Sequence, residues 1–202
     1  MDRSLVAAAG VRESCAQPAT PAATSLRLTS DTMGPMSEHR ALYLMRHATA
    51  ESWGVLGDRN RPLTPAGRTE AAFIGDQLAD EGIQYVLVSS AARTRQTVAA
   101  LGLGVDVEPT DHLYGAGSGT ILNLIRELEP ALVRVLVVGH SPSIPTLVHQ
   151  LADDGSDADA LDLVSTHFPT ATCCRLEFEG DWADLTDASL TRTYRTRLPQ
   201  KP

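Results

Sequence analysis

The chain reads as an α/β protein in which a mostly parallel sheet is covered by helices. Three observations predict this. Short apolar runs, "ALYLM" at 41–45, "YVLVS" at 85–89 and "RVLVVG" at 134–139, have the near-continuous hydrophobicity of strands buried on both faces. These runs alternate with stretches whose apolar residues keep helical spacing. With 202 residues, of which 43% are hydrophobic, the chain is long enough to bury one substantial core and needs no second domain.

Residues 1–38 are rich in Ala, Ser, Thr and Pro and lack sustained periodicity, so they offer too little apolar area to offset their ordering entropy. A disordered extension is expected there, and Met33 and Met36 stand as alternative translation starts just ahead of the first strand. A single domain is expected over 39–202. Thr64 and Pro65 read as the N-cap and first residue of a helix in which Ala71, Ile74 and Leu78 hold helical spacing up to Gly82. Ile121, Leu124, Ile125 and Leu128 recur at i, i+3, i+4 and i+7, as do Ile144, Leu147, Val148 and Leu151, which predicts two core-facing helices. The acidic stretch "ADDGSDADALD" at 152–162 is expected to be a solvated loop. "TATCCRLEF" and "LTRTYRTRL" alternate as the last strands would near a sheet edge.

Composition excludes several functions. The net charge is -8 and the basic residues are scattered, which argues against nucleic acid or an anionic membrane as partner. An anionic substrate would therefore need a local cationic pocket. Three cysteines, two of them the vicinal Cys173 and Cys174, make no disulfide framework, and neither CxxC nor HExxH spacing occurs. A reducing, cytoplasmic setting without a structural metal is the expectation. No apolar run approaches the roughly 18 residues of a bilayer span, and "SLVAAAGV" is soon broken by Arg12 and Glu13, so no secretory signal is read.

Three strands end in polar clusters: "MRHAT" at 45–49, "SSAARTRQT" at 89–97 and "VGHSPSI" at 138–144. An isolated Arg-His is most often a strand cap. In open parallel sheets, however, ligands bind beyond the carboxyl ends of the strands, so Arg46, His47, Arg93 and His140 can converge there. Two guanidiniums and two imidazoles around one cavity suit a dianionic phosphoryl group. His47 is the expected nucleophile, kept unprotonated by the neighbouring arginines. Arg46, Arg93 and a protonated His140 would hold the charge on the equatorial oxygens, with no metal and no cofactor. Ser90 and Ser141 are expected to cap the helices that follow them, with Ser141 also a candidate phosphate contact. Arg61, in the "RPLT" turn, either reaches the phosphate or anchors its loop.

Through "LYLMRHATAE", "DRNRPLTPAGRTEA", "VLVSSAARTRQTV", "VLVVGHSPSI" and, more loosely, "FPTATCCRLEF", the chain resembles the histidine phosphatase superfamily, and more narrowly its SixA-type phosphohistidine phosphatases. The resemblance implies a three-layer α/β/α sandwich, a phosphohistidine intermediate on His47, and phosphoryl binding by Arg46, Arg93 and His140. Ala48 stands where the superfamily usually has Gly. Larger members supply a carboxylic acid after the third strand, but "LYGAG" at 113–117 holds neither Asp nor Glu. An alkoxide leaving group benefits strongly from such an acid, whereas a phosphoramidate nitrogen needs it less. The expected function is thus a metal-independent phosphatase for phosphohistidine on a protein. The alternatives are a phosphomonoester phosphatase for a small metabolite and a non-catalytic phosphate-binding module. Glu51, Asp58, Glu108 and Asp111 are expected to be solvated, and His112, His149 and His167 have no metal-ligand spacing.

Overall fold

The computed structural model describes residues 39–196 of the chain. Strand β1 (His39–Arg46) leads into a loop with one 3-10 turn (Asp58–Asn60) and then α1 (Pro65–Leu78). There follow β2 (Tyr85–Ser89), α2 (Ala92–Leu101), β3 (Asp106–Thr110), α3 (Ser118–Arg126), β4 (Arg134–Gly139) and α4 (Ser143–Leu151). The last elements are α5 (Ala158–Thr166), β5 (Cys173–Glu179) and β6 (Ser189–Tyr194). The strands form one sheet in the order β3-β2-β4-β1-β5-β6. Its β3, β2, β4 and β1 are parallel, β5 runs antiparallel to β1, and β6 runs antiparallel to β5.

Strand alternation builds the three layers. Leu42 and Leu44 of β1, Leu87 of β2, and Val135 and Val137 of β4 pack with Ile121 and Ile125 of α3, Leu147 of α4 and Val164 of α5. Tyr43, Met45, Val86, Val88, Leu136 and Val138 point the other way, onto Ile74 of α1 and Val98 of α2. Both faces of the central strands are covered, which is why those strands read as continuous apolar runs.

Several elements differ from expectation. The acidic stretch is not all loop: Asp157 accepts a hydrogen bond from Ala160 N at 2.8 Å and starts α5, which buries Ala160 and Val164. Acidity marked a helix N-terminus there as well as a solvated face. Strand β3 carries Pro109 and is exposed over 106–109, so it gave no apolar run to find. Helix α3 stops at Arg126, leaving Leu128 beyond it and partly buried against the core. β6 forms the sheet edge, while β5 lies inside, paired with both β1 and β6. The extension expected over 1–38 lies outside the described residues.

Helix α1 begins as its sequence predicts. Thr64 accepts from Gly67 N at 2.9 Å and Pro65 takes the first helical position. The Thr64 hydroxyl also donates to Thr49 O at 3.2 Å, tying the helix to the segment that follows β1. Gly67 is required for this approach, since a Cβ there would lie 1.9 Å from Thr49 O.

Candidate active site

β2, β4 and β1 are adjacent and parallel, and their register pairs Arg46 with Gly139 and Val88 with Val138. The three strands therefore end at one level. Arg46, His47, Arg93 and His140 line a single cavity of about 290 Å³, together with Arg61, Ser141, Thr49 and Thr170. The four residues singled out by their strand-end positions are thus brought together.

The backbone around His47 is clamped on three sides. His47 N donates to Gly139 O at 3.0 Å and its carbonyl accepts from Ala171 N at 3.1 Å, while Arg46 N donates to Thr172 O at 3.0 Å. Ala48, fully buried, donates its N–H to Thr97 Oγ1 at 3.0 Å, and that hydroxyl donates to Arg93 O at 2.7 Å. The segments carrying His47 and Arg93 are thereby joined through one buried threonine.

The His47 ring is oriented by its own chain. Nδ1 lies 2.8 Å from Ala48 O, and a carbonyl can only accept, so Nδ1 carries the proton and Nε2 the lone pair. Burial, reinforced by Arg93, Arg46 and Arg61 and opposed by the Ala48 carbonyl, pushes the His47 pKa down to about 4. The ring is neutral at pH 7. Burial, more than the neighbouring arginines, is the main cause.

His140 is the second imidazole of the site. Its ring centroid lies 5.3 Å from that of His47. Burial first, and then Arg93 and His47, push its pKa down to about 3, so in the free protein it is neutral, not protonated. Its Nε2 lies 2.9 Å from the hydroxyl of the fully buried Ser89. Ser89 Oγ also accepts from Ala91 N at 3.5 Å; donation of the Ser89 hydroxyl proton to His140 Nε2 would put the imidazole proton on Nδ1. His140 Nδ1 and the Nε atoms of Arg46 and Arg93 have no hydrogen-bond partner among the described residues.

The guanidiniums are fixed through their remaining nitrogens. Arg46 NH1 donates to Phe168 O at 2.7 Å. Arg93, 6% exposed, donates from NH1 to Asp58 O at 2.8 Å and from NH2 to Asp58 Oδ2 at 3.1 Å. Arg95, one position past Thr94 on α2, is exposed, as helical geometry requires. Arg61 both lines the cavity and anchors its loop, through Asp58 Oδ1 at 2.8 Å and Glu51 O at 2.7 Å.

Asp58 is exposed, as expected, and it also holds groups of the site. It meets Arg93, Arg61 and, at 3.0 Å, the Tyr114 hydroxyl. Burial tends to raise its pKa, but the Tyr114 hydroxyl and the two arginines outweigh this and leave it below the ordinary carboxylate value. Asp58 is thus an ionised carboxylate at neutral pH. Asp111 pairs with Arg59 and Glu108 with the Tyr85 hydroxyl. The side chain of Glu51 is exposed, as are His112, His149 and His167.

Neither serine caps its helix. α2 is preceded by Ala91 and α4 by Pro142, which occupy the N-cap positions without a side-chain bond. Ser90 instead accepts from Arg59 NH2 at 2.6 Å, and Ser141 lines the cavity. Residues that the sequence reading passed over also serve the site. Ser89 orients His140, and Glu70 receives Thr49 N and Thr49 Oγ1, both at 3.0 Å, with Thr170 Oγ1 2.7 Å from Thr49 Oγ1. The available signal was Ser89 at a strand end, four residues before Arg93. Among the described residues no three His, Cys, Asp or Glu side chains are grouped to hold a metal, and no helix is long and apolar enough to cross a membrane.

The family model described as histidine phosphatase superfamily (branch 1) matches residues 42–121, the stretch that carries Arg46, His47 and Arg93. An uncharacterized protein of Mycobacterium tuberculosis strain H37Rv is 36% identical over 144 residues, covering 70% of this chain and 91% of its own. The chain belongs to the histidine phosphatase superfamily. Within it, a solved structure of a candidate phosphohistidine phosphatase SixA from Nakamurella multipartitia is similar at 37% identity and a TM-score of 0.72, covering 79% of this chain and 98% of that one. A second candidate SixA, from Agrobacterium tumefaciens, is similar at 29% identity and a TM-score of 0.63, covering 78% and 99%. Superfamily membership and these neighbours support phosphatase activity.

Proposed function

We propose that this protein is a phosphohistidine phosphatase that works through a covalent phosphohistidine on His47, without a metal ion. The observation that carries the reading is the state of His47. Its Nδ1–H is held by Ala48 O, it is neutral at pH 7, and it shares one small cavity with two guanidiniums.

In the first step His47 Nε2 attacks phosphorus and the bond from phosphorus to the substrate's imidazole nitrogen breaks, its electron pair leaving with that nitrogen. If the leaving ring already carries a proton on its other nitrogen, it departs as neutral imidazole and no protein acid is needed. In the second step water attacks the phosphoenzyme, the bond to His47 Nε2 breaks and inorganic phosphate leaves. Arg46, Arg93 and the Nδ1–H of His140 stabilise the equatorial oxygens throughout. The state of Asp58 supports a P–N substrate: bonded to Arg93, Arg61 and Tyr114 and ionised, it has no proton to give an alkoxide.

The test is acid- and alkali-quench of the enzyme mixed with free phosphohistidine in the presence of EDTA. A phosphoenzyme stable in alkali and labile in acid is expected, absent from His47→Ala, with alkyl phosphates turned over at least ~100-fold more slowly. Turnover that survives in His47→Ala, or that EDTA abolishes, would overturn the mechanism.

A further inference from the structure

We propose that the loop over 51–62 docks the protein that presents the phosphohistidine, with Trp53, Val55 and Leu56 as its apolar contact surface. This rests on the phosphatase reading above and adds to it how a protein substrate is chosen. Trp53 is 71% exposed, Val55 81% and Leu56 78%. The other large exposed hydrophobics among the described residues, Phe73 and Val107, lie on α1 and β3, away from this run in sequence. Scattered apolar residues on a surface are ordinary, whereas three within four positions beside a cavity form a patch of the kind that contacts proteins, and Trp is the residue type most enriched among binding anchors.

The loop is held in shape. At its base Ala50 pairs with Leu63, and Glu51 N donates to Pro62 O at 2.9 Å. Within it Gly57 N donates to Gly54 O at 3.0 Å and Asn60 Nδ2 to Leu56 O at 3.0 Å. On the side of β2 and β3, Arg59 reaches Ser90 and Asp111 and lies over the Tyr114 ring, and Asp58 holds Arg93. A surface already ordered spends less of its binding energy on immobilisation.

Two features identify the occupant. Ala50 and Arg61, at the two feet of the loop, are themselves walls of the cavity, so the loop that carries the apolar tip springs directly from the substrate site. The cavity, about 290 Å³, lies at the lower end of what encloses a whole small ligand. It suits a phosphoryl group and the ring that bears it, with the rest of the substrate lying over the rim. The basic side chains of the loop are already paired, Arg59 with Asp111 and Arg61 with Asp58, which favours the apolar side chains as its recognition element. The partner is therefore a protein with an apolar patch beside its phosphorylated histidine.

The experiment compares wild type with the triple variant Trp53→Ser, Val55→Ser, Leu56→Ser on two probes: free phosphohistidine, and a helical phosphotransfer domain phosphorylated on its histidine. The substituted side chains are exposed, so the fold should tolerate them. The expected result is a loss of about 30-fold in kcat/KM on the phosphoprotein, carried by KM, with kcat/KM on free phosphohistidine within about twofold of wild type. Equal losses on both probes, or none on either, would overturn the docking role while leaving the phosphatase intact. A wild type that dimerises through these residues, with the variant monomeric by light scattering, would assign the patch to a second copy instead. If wild type turns over neither probe, the phosphatase reading itself fails and this proposal falls with it.

Discussion

Acidifying the protein from pH 7 to about pH 5 charges, in the unfolded chain, histidines that the fold keeps neutral. For His47 the ordinary value of 6.5 falls to about 4 in the folded protein, with burial the main cause. Between those values the unfolded chain binds more protons than the folded one. The stability linked to His47 is therefore fully present above pH 6.5 and is lost as pH falls toward 4. At 1.36 kcal/mol per unit the whole shift is worth roughly 3 kcal/mol, of which roughly 2 kcal/mol is gone by pH 5. Urea unfolding of wild type and of His47→Gln at both pH values isolates this contribution, because carboxylates elsewhere titrate in both proteins. The expected outcome is a pH-dependent loss roughly 2 kcal/mol smaller in the variant. Equal losses in the two proteins would show that His47 is not held neutral by the fold, and the nucleophile assignment would lose its physical basis.

Two further outcomes test how the site is built. Gly67→Ala would place a Cβ 1.9 Å from Thr49 O, backbone against backbone, so a destabilisation of roughly 3 kcal/mol and loss of turnover are expected in thermal melts and assays, despite the better helix propensity of Ala. Ser89→Ala should release the His140 tautomer: long-range proton–nitrogen NMR is expected to show the proton on Nδ1 in wild type and on both nitrogens in the variant, with kcat reduced about tenfold. A single unchanged Nδ1 tautomer in Ser89→Ala would remove that role.

Periodicity carried most of the fold. The runs at 41–45, 85–89 and 134–139 are strands because their alternate residues fill two separate cores, and that double burial is visible as continuous hydrophobicity. β3 escaped notice because an edge strand exposed over 106–109 has no such run, and α5 because its N-terminal turn is acidic. The Arg-His pair was legible once its strand-end position was matched by Arg93 and His140. The supporting contacts were not: Ser89, Thr97 and Asp58 act through distances that cross 35 to 51 positions of sequence.

The sequence by itself determined the layer order and which four side chains could meet, because strand ends of parallel neighbours share an edge. Only the tertiary structure decided their chemical state. Burial, more than neighbouring charge, keeps His47 and His140 neutral, and the Arg59–Ser90 and Arg93–Asp58 contacts tie the loop at 51–62 to the segment that follows β2. Desolvation and ion pairing depend on what surrounds a group in three dimensions, and no spacing along the chain encodes that surrounding locally.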